Sequence, residues 1–235
     1  ATFERERLQV DGTRIIRIVA ALALASAVAV ASLLLARLAP LPADSFTPRS
    51  FFTHTAMLLL SLGLIVVLSG GRPERYGLAR GRYRFHPRIL LWALPMATLS
   101  TVGALASGGE SPAAADDLSR LQSVLFVWIY ASVCEEVLAR GLLQTLLSRG
   151  RESIPARVLN LPVVMSGLFF GAMHVVLFIR MGPGGAPMLV LAVFLGLVAA
   201  RYRQTTGSLI PAVIIHALFN VGGMAPLWIV GALRG

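Results

Sequence analysis

Apolar runs about as long as a bilayer is thick recur along this chain, and they restrict its fold more than any other feature. A hydrocarbon core of about 30 Å needs about 20 apolar residues in a helix. Residues 15–39, 51–68, 89–107, 121–147 and 161–179 meet or approach that length, and three shorter runs follow at 188–200, 208–221 and 226–233. Backbone amides in lipid must be satisfied within the segment, so each run predicts a helix. Short spans can tilt or pack inside the bundle, which gives an all-α, polytopic membrane helix bundle of about eight transmembrane helices. No internal repeat, low-complexity tail or soluble domain interrupts it, and residues 1–235 read as a single transmembrane domain. With 56% hydrophobic and only 14% charged residues and a mean hydropathy of +0.76, a soluble globular domain is excluded.

The net charge of +10 does not point to nucleic acid, because the basic residues punctuate the apolar runs instead of clustering with aromatics. Their distribution predicts orientation, since basic residues accumulate on cytoplasmic loops. With the N-terminus inside, sixteen arginines fall on the cytoplasmic side, among them Arg14, Arg17, Arg72, Arg75, Arg80 to Arg88, Arg149 to Arg157, Arg201, Arg203 and Arg234. Four fall outside, Arg37, Arg49, Arg120 and Arg180, with the acidic Glu110, Asp116 and Asp117. The chain is thus expected to be a multi-pass protein of the inner or plasma membrane with a cytoplasmic N-terminus. The first run is too long for a signal-peptide core and reads as an anchor helix.

Ionisable groups in the middle of such runs are costly, a few kcal/mol or more each, and persist where they face a bundle interior or a wet cavity. Glu135, Glu136 and Arg140 lie inside the fourth run, His174 inside the fifth, and His216 with Asn220 inside the seventh. Residues four apart share a helix face, so Glu136 can pair with Arg140 while Glu135 is turned about 100° away and left unpaired as a candidate base. Phe170 and His174 share a face, as do His216 and Asn220. Interhelical hydrogen bonding accounts for any one of these residues alone. It does not account for an excess carboxylate beside a matched ion pair, and Glu with two His and Asn is what water activation and oxyanion binding require. Cys134 reads as a small apolar filler, Ser166 as a packing residue, and His54 and His86, near the ends of apolar runs, as interfacial structural residues.

The runs CEEVLARGLL (134–143), FFGAMH (169–174) and HALFN (216–220) resemble the E-E-x-x-x-R, F-x-x-x-H and H-x-x-x-N/B motifs of the type II CAAX prenyl endopeptidase group, the CPBP or Abi family of intramembrane proteases. The resemblance covers about residues 121–221 in order and spacing, and Tyr76-Gly77-Leu78 is also similar to a recurring cytoplasmic element of that family. It implies a glutamate-dependent intramembrane endopeptidase acting near the C-terminus of a membrane-anchored or lipidated protein. Glu135 and His174 would activate a water, and His216 with Asn220 would bind the oxyanion. Glu136, Arg140 and Phe170 would support them. No H-E-x-x-H is present. Glu135, His174 and His216 could supply three zinc ligands, but the same set serves metal-free hydrolysis, and no cofactor is expected. A rhomboid-like G-x-S-G motif is absent from the sequence, and no aspartate falls within a span.

Glu135 stands fourteen residues from Arg149 and His216 thirteen from Arg203, whereas His174 is only six from Arg180. At about 1.5 Å per residue, the group sits at the midplane or slightly toward the outer leaflet. Family members that trim prenylated C-termini work from the cytoplasmic side, so the resemblance leaves room for a surface-sorting, myxosortase-like branch that cleaves C-terminal anchor tags. Two other classes compete. A non-enzymatic immunity or scaffold protein would not need the complete set of Glu135, His174, His216 and Asn220. A proton-coupled transporter, with Glu135 and His174 as its relay, would show repeated halves and broken helices.

Overall fold

The computed structural model describes residues 2–40, 46–79, 89–106, 119–148 and 160–234. Among them every regular element is helical: α1 (Thr2–Leu38), α2 (Phe46–Ser69), α3 (Leu90–Ala106), α4 (120–148), α5 (Leu161–Met173), α6 (Val175–Met181), α7 (Ala186–Thr206) and α8 (Ile210–Arg234). Three stretches, Gly12–Leu38, Pro48–Ser69 and Ala186–Thr206, are long and apolar enough to cross a membrane. The distribution of side chains agrees with lipid as the outer solvent. Ile15, Ile16, Leu34, Leu59, Val67, Leu91 and Val190 face outward, while Ala25, Ser32, Ser61, Ser100, Ser132 and Ser166 are buried between helices. Large side chains such as Ile65, Leu138, Leu142, Leu143 and Leu195 are buried as well, and the small residues among them let the helices approach closely, as membrane helices do.

The tightest approach joins α5 to α7. A Cβ placed on Gly196 would come within 2.9 Å of the Gly167 backbone, and one on Gly167 would come within 2.7 Å of Leu197. Farther along the same crossing, Gly171 lies directly against Val193, and Gly222 of α8 lies against the backbone of Ala97 in α3. These contacts bring α5 against α7 and α3 against α8, while α4, which carries the ionisable residues, packs on α5, α7 and α8.

Two features depart from the sequence expectation. The last two apolar runs are parts of one continuous helix, Ile210–Arg234, and α5 and α6 are two pieces of one broken run, so the described residues form seven helical rods where eight were expected. Gly222 and Gly223 fall between those two runs and Pro226 opens the second, yet glycine and proline are tolerated in membrane helices, and Gly222 is used for the contact with Ala97. The second departure is in α4. Its stretches Ser123–Ala131 and Val137–Leu143 are π-helical, flanking the α-helical Ser132–Glu136. The Gln144 amide reaches back five residues to the Ala139 carbonyl, which also accepts from the Ser166 hydroxyl at 2.9 Å. Such π turns recur at functional positions in helices.

The Tyr76-Gly77-Leu78 element closes one end of the bundle. Tyr76 is fully buried, and Gly77 adopts φ 84°, a left-handed conformation that strains other residues. Its carbonyl accepts from the Leu209 amide at 3.0 Å, just before α8 begins, and the Arg203 guanidinium covers the place where a Cβ would stand. His86 and the arginine-rich stretches 80–88 and 149–159 lie outside the described residues.

Candidate active site

Glu135 and Glu136 emerge from the short α-helical segment of α4 in two different directions. Glu136 is completely buried, and its Oε1 accepts from Arg140 Nη1 at 2.9 Å. Arg140 is buried as well. Its Nη2 donates to the Gly196 carbonyl of α7 at 3.1 Å, and its guanidinium carbon lies 4.2 Å above the Phe170 ring. The expected ion pair is present, but it is not isolated. His216 Nδ1 donates to the same Glu136 Oε1 at 3.0 Å, so Glu136 also orients an imidazole from α8.

Glu135 keeps 15% of its side chain exposed, although its Oε2 is itself buried. Its Oε2 lies 3.8 Å from His174 Nε2 and 3.9 Å from His216 Nε2, and has no hydrogen-bond partner among the described residues. The expectation that Glu135 is unpaired holds only for this oxygen. Its Oε1 lies 3.0 Å from Nε2 of His54 on α2, a residue that reads in sequence as interfacial. The two positions are 81 residues apart, and α2 carries no motif. The one available signal was a histidine within an apolar run.

The three rings share a pattern. His174 Nδ1 is 2.9 Å from the Phe170 carbonyl, His54 Nδ1 is 2.7 Å from the Ser50 carbonyl, and His216 Nδ1 is 3.0 Å from Glu136. Carbonyl and carboxylate oxygens only accept, so each Nδ1 carries a proton and each Nε2 is turned toward Glu135. Outer hydrogen bonds thus set the tautomer and tilt of all three imidazoles. His174 owes its position to a break in the helix. α5 ends at Met173 and α6 starts at Val175, with His174 between them at φ −88° and ψ 0°, the bridge region where many active-site residues sit. Phe170 fills the space between the rings, 4.6 Å from His174 and 5.2 Å edge-on to His216, centroid to centroid.

Asn220 is held apart from this group. Its Nδ2 donates to the Val127 carbonyl at 3.2 Å and to Ser132 Oγ at 3.1 Å, which ties α8 to α4 one turn beyond His216. The structure therefore brings together Glu135, His174 and His216, surrounds them with Glu136, Arg140 and Phe170, adds His54, and leaves Asn220 bonded to its neighbours. Glu135, His174 and His216 are the zinc donors that the sequence offers. No group of three or more His, Cys, Asp or Glu among the described residues is arranged to hold a metal ion. Cys134 is buried and unbridged.

A membrane helix bundle with a carboxylate and imidazoles gathered in its interior has the parts of an intramembrane hydrolase. Residues 117–222 match the family model described as Type II CAAX prenyl endopeptidase Rce1-like, so this stretch of the chain is similar to that family of membrane-embedded proteases. The match spans all three motif runs and excludes α1, α2 and His54. No curated protein and no solved structure shows a significant match to the chain.

Proposed function

We propose that the protein is a glutamate-dependent intramembrane endopeptidase that cuts a peptide bond near the C-terminus of a membrane-anchored or lipidated protein. The observation that carries this reading is the convergence of His174 and His216 Nε2 on the unpartnered Oε2 of Glu135, at 3.8 and 3.9 Å. These separations exceed a direct hydrogen bond, so Oε2 is left to bind the water that enters between them in the reaction. A water between Glu135 Oε2 and His174 Nε2 meets two acceptors, so both its protons are directed and an oxygen lone pair is free for the scissile carbonyl. Attack transfers one proton to Glu135 Oε2 and the carbonyl π pair to oxygen. Collapse returns the proton to the leaving amine as the C–N bond breaks.

His216 serves the oxyanion. With Nδ1–H bound to Glu136, its Nε2 donates only when the ring is an imidazolium, and Glu136 stabilises that charge. The Glu136 and Arg140 charges cancel, so the imidazolium leaves one net positive charge that the oxyanion neutralises. Asn220 joins by exchanging its bond to the rotatable Ser132 hydroxyl for the substrate oxygen. Orientation follows from the arginines. With seven crossings and a cytoplasmic N-terminus, Arg234 moves to the outer side, and fifteen arginines against five still favour this topology.

The outer-leaning depth of the site in the sequence favours surface-sorting cleavage of C-terminal anchors over cytoplasmic trimming of prenylated ends. Comparing the C-termini of membrane proteins from cells with the parent protein and with Glu135→Gln tests the whole reading. Trimmed C-termini are expected only with the parent, and identical C-terminal profiles would overturn it.

A further inference from the structure

His54 is the one imidazole of the cluster that the family match leaves out, and its placement is fixed from three sides. Nδ1 donates to the Ser50 carbonyl one turn back in α2 at 2.7 Å. The ring stands edge-on to Phe126 of α4, 5.9 Å between centroids, and the next residue, Thr55, shares a 2.7 Å hydrogen bond with the Tyr130 hydroxyl. Phe51 stacks on Tyr130 one turn away, 5.4 Å between ring centroids. These contacts clamp α2 to α4 just where Nε2 meets Glu135 Oε1 at 3.0 Å. With Nδ1 already carrying a proton, Nε2 and Oε1 are both acceptors until a second proton lies between them. The contact therefore holds one shared proton, on the ring when Glu135 is the carboxylate.

We propose that His54 is a positioning residue for peptide-bond hydrolysis: it occupies Oε1 of Glu135 as a donor and thereby commits Oε2 as the oxygen that takes the proton from water. This rests on the reading of Glu135 as the general base. A carboxylate free to rotate would divide its time between two oxygens and several directions, and only one faces His174 and His216. Donation from His54 removes that freedom without touching the substrate. The groups facing the His54–Glu135 pair are His174, His216, the Glu136–Arg140 pair beyond them, and Tyr130. Of these, no hydrogen bond from another described residue reaches Oε1. The proton that Glu135 takes from water thus arrives at the oxygen opposite His54, and the tetrahedral intermediate forms with the carboxylate still fixed.

The test replaces the donor while keeping or removing its reach. His54→Gln places an amide N–H near the position of Nε2, and His54→Leu keeps bulk without a donor. Full-length variants are expressed in cells, and the rate of C-terminal trimming is followed by pulse-chase and mass spectrometry. Trimming is expected to slow about 100-fold in His54→Leu, the cost of a misplaced catalytic group, and to stay within about tenfold of the parent in His54→Gln. Leu at parental rate, or Gln no faster than Leu, would overturn the proposal, because a packing role makes no distinction of that kind. If His54→Leu is not recovered folded, His54→Asn replaces it, since its amide is too short to reach Oε1, and the same Gln-against-Asn contrast decides. Glu135→Gln separates the two claims. Trimming that survives in Glu135→Gln removes the hydrolase reading itself, whereas its loss there with normal rates in the His54 variants removes only the role of His54.

Discussion

The two sides of α4 are built to opposite rules although Glu135 and Glu136 are adjacent in sequence. On the Glu136 side everything is buried. Arg140 pairs with Glu136 and reaches the Gly196 carbonyl, Gln144 reaches the Ala200 carbonyl at 2.8 Å, and both bonds lock α4 to α7. On the Glu135 side the carboxylate is pinned at one oxygen and unpartnered at the other, with His174 a quarter exposed beside it. A buried ion pair is tolerated when geometry and extra hydrogen bonds offset its desolvation, so the first side behaves as a fixed frame. On the second, one unpartnered carboxylate oxygen and two imidazole nitrogens converge without bonding one another, which leaves them available for chemistry. The two sides are linked through His216, held by Glu136 and aimed at Glu135.

The largest expected effect on the open side is in rate, not fold. Glu135→Gln conserves shape and removes the proposed base, and trimming should fall by about 10²- to 10⁴-fold with unchanged extraction and thermal melting. The largest effect on the closed side is the reverse. Glu136→Ala strands Arg140 in the bundle and releases His216, at a cost of about 3–5 kcal/mol, read as a fall in folded yield and melting temperature. If Glu136→Ala folds normally and is merely slow, the division between frame and reaction centre is wrong. Smaller again are His216→Ala and Asn220→Ala, each expected to slow turnover about 10²- to 10³-fold if the proposed oxyanion donors are lost. Asn220→Ala sharpens the comparison, since that residue currently spends its amide on Val127 and Ser132. A stability loss without a rate loss would assign it to the frame.

How much of this was legible follows from distance along the chain. The Glu136–Arg140 pair, the Phe170–His174 contact and the helical class rest on spacings of four residues or on the length of apolar runs, and both are local. The partnership of Glu135 with His54 spans 81 residues and two helices, so no periodicity could show it. His216 bonding to Glu136 is likewise tertiary. The break at His174 is hidden for another reason: the surrounding GAMHVVL contains no proline, and Gly171 is used against Val193 instead of ending the helix. The sequence divides the final helix, Ile210–Arg234, because Gly222, Gly223 and Pro226 carry the signature of a turn in water. In lipid the lack of alternative backbone partners keeps such a segment helical.

Gln144 offers the mildest and most diagnostic break of the closed side. Its Nε2 donates to Ala200, but its Oε1 is buried with no hydrogen-bond partner among the described residues. Gln144→Leu therefore loses one interhelical hydrogen bond and at the same time removes a buried unsatisfied oxygen, while the side-chain volume is nearly kept. Interhelical hydrogen bonds in membranes average about 0.6 kcal/mol, and removing an unpaired polar atom offsets part of that. The expected change is below about 1 kcal/mol in melting analysis, with the trimming rate unaltered. A cost approaching that of Glu136→Ala would mean that the frame is held by its neutral bonds to α7, and that the Glu136–Arg140 pair serves chiefly to aim His216.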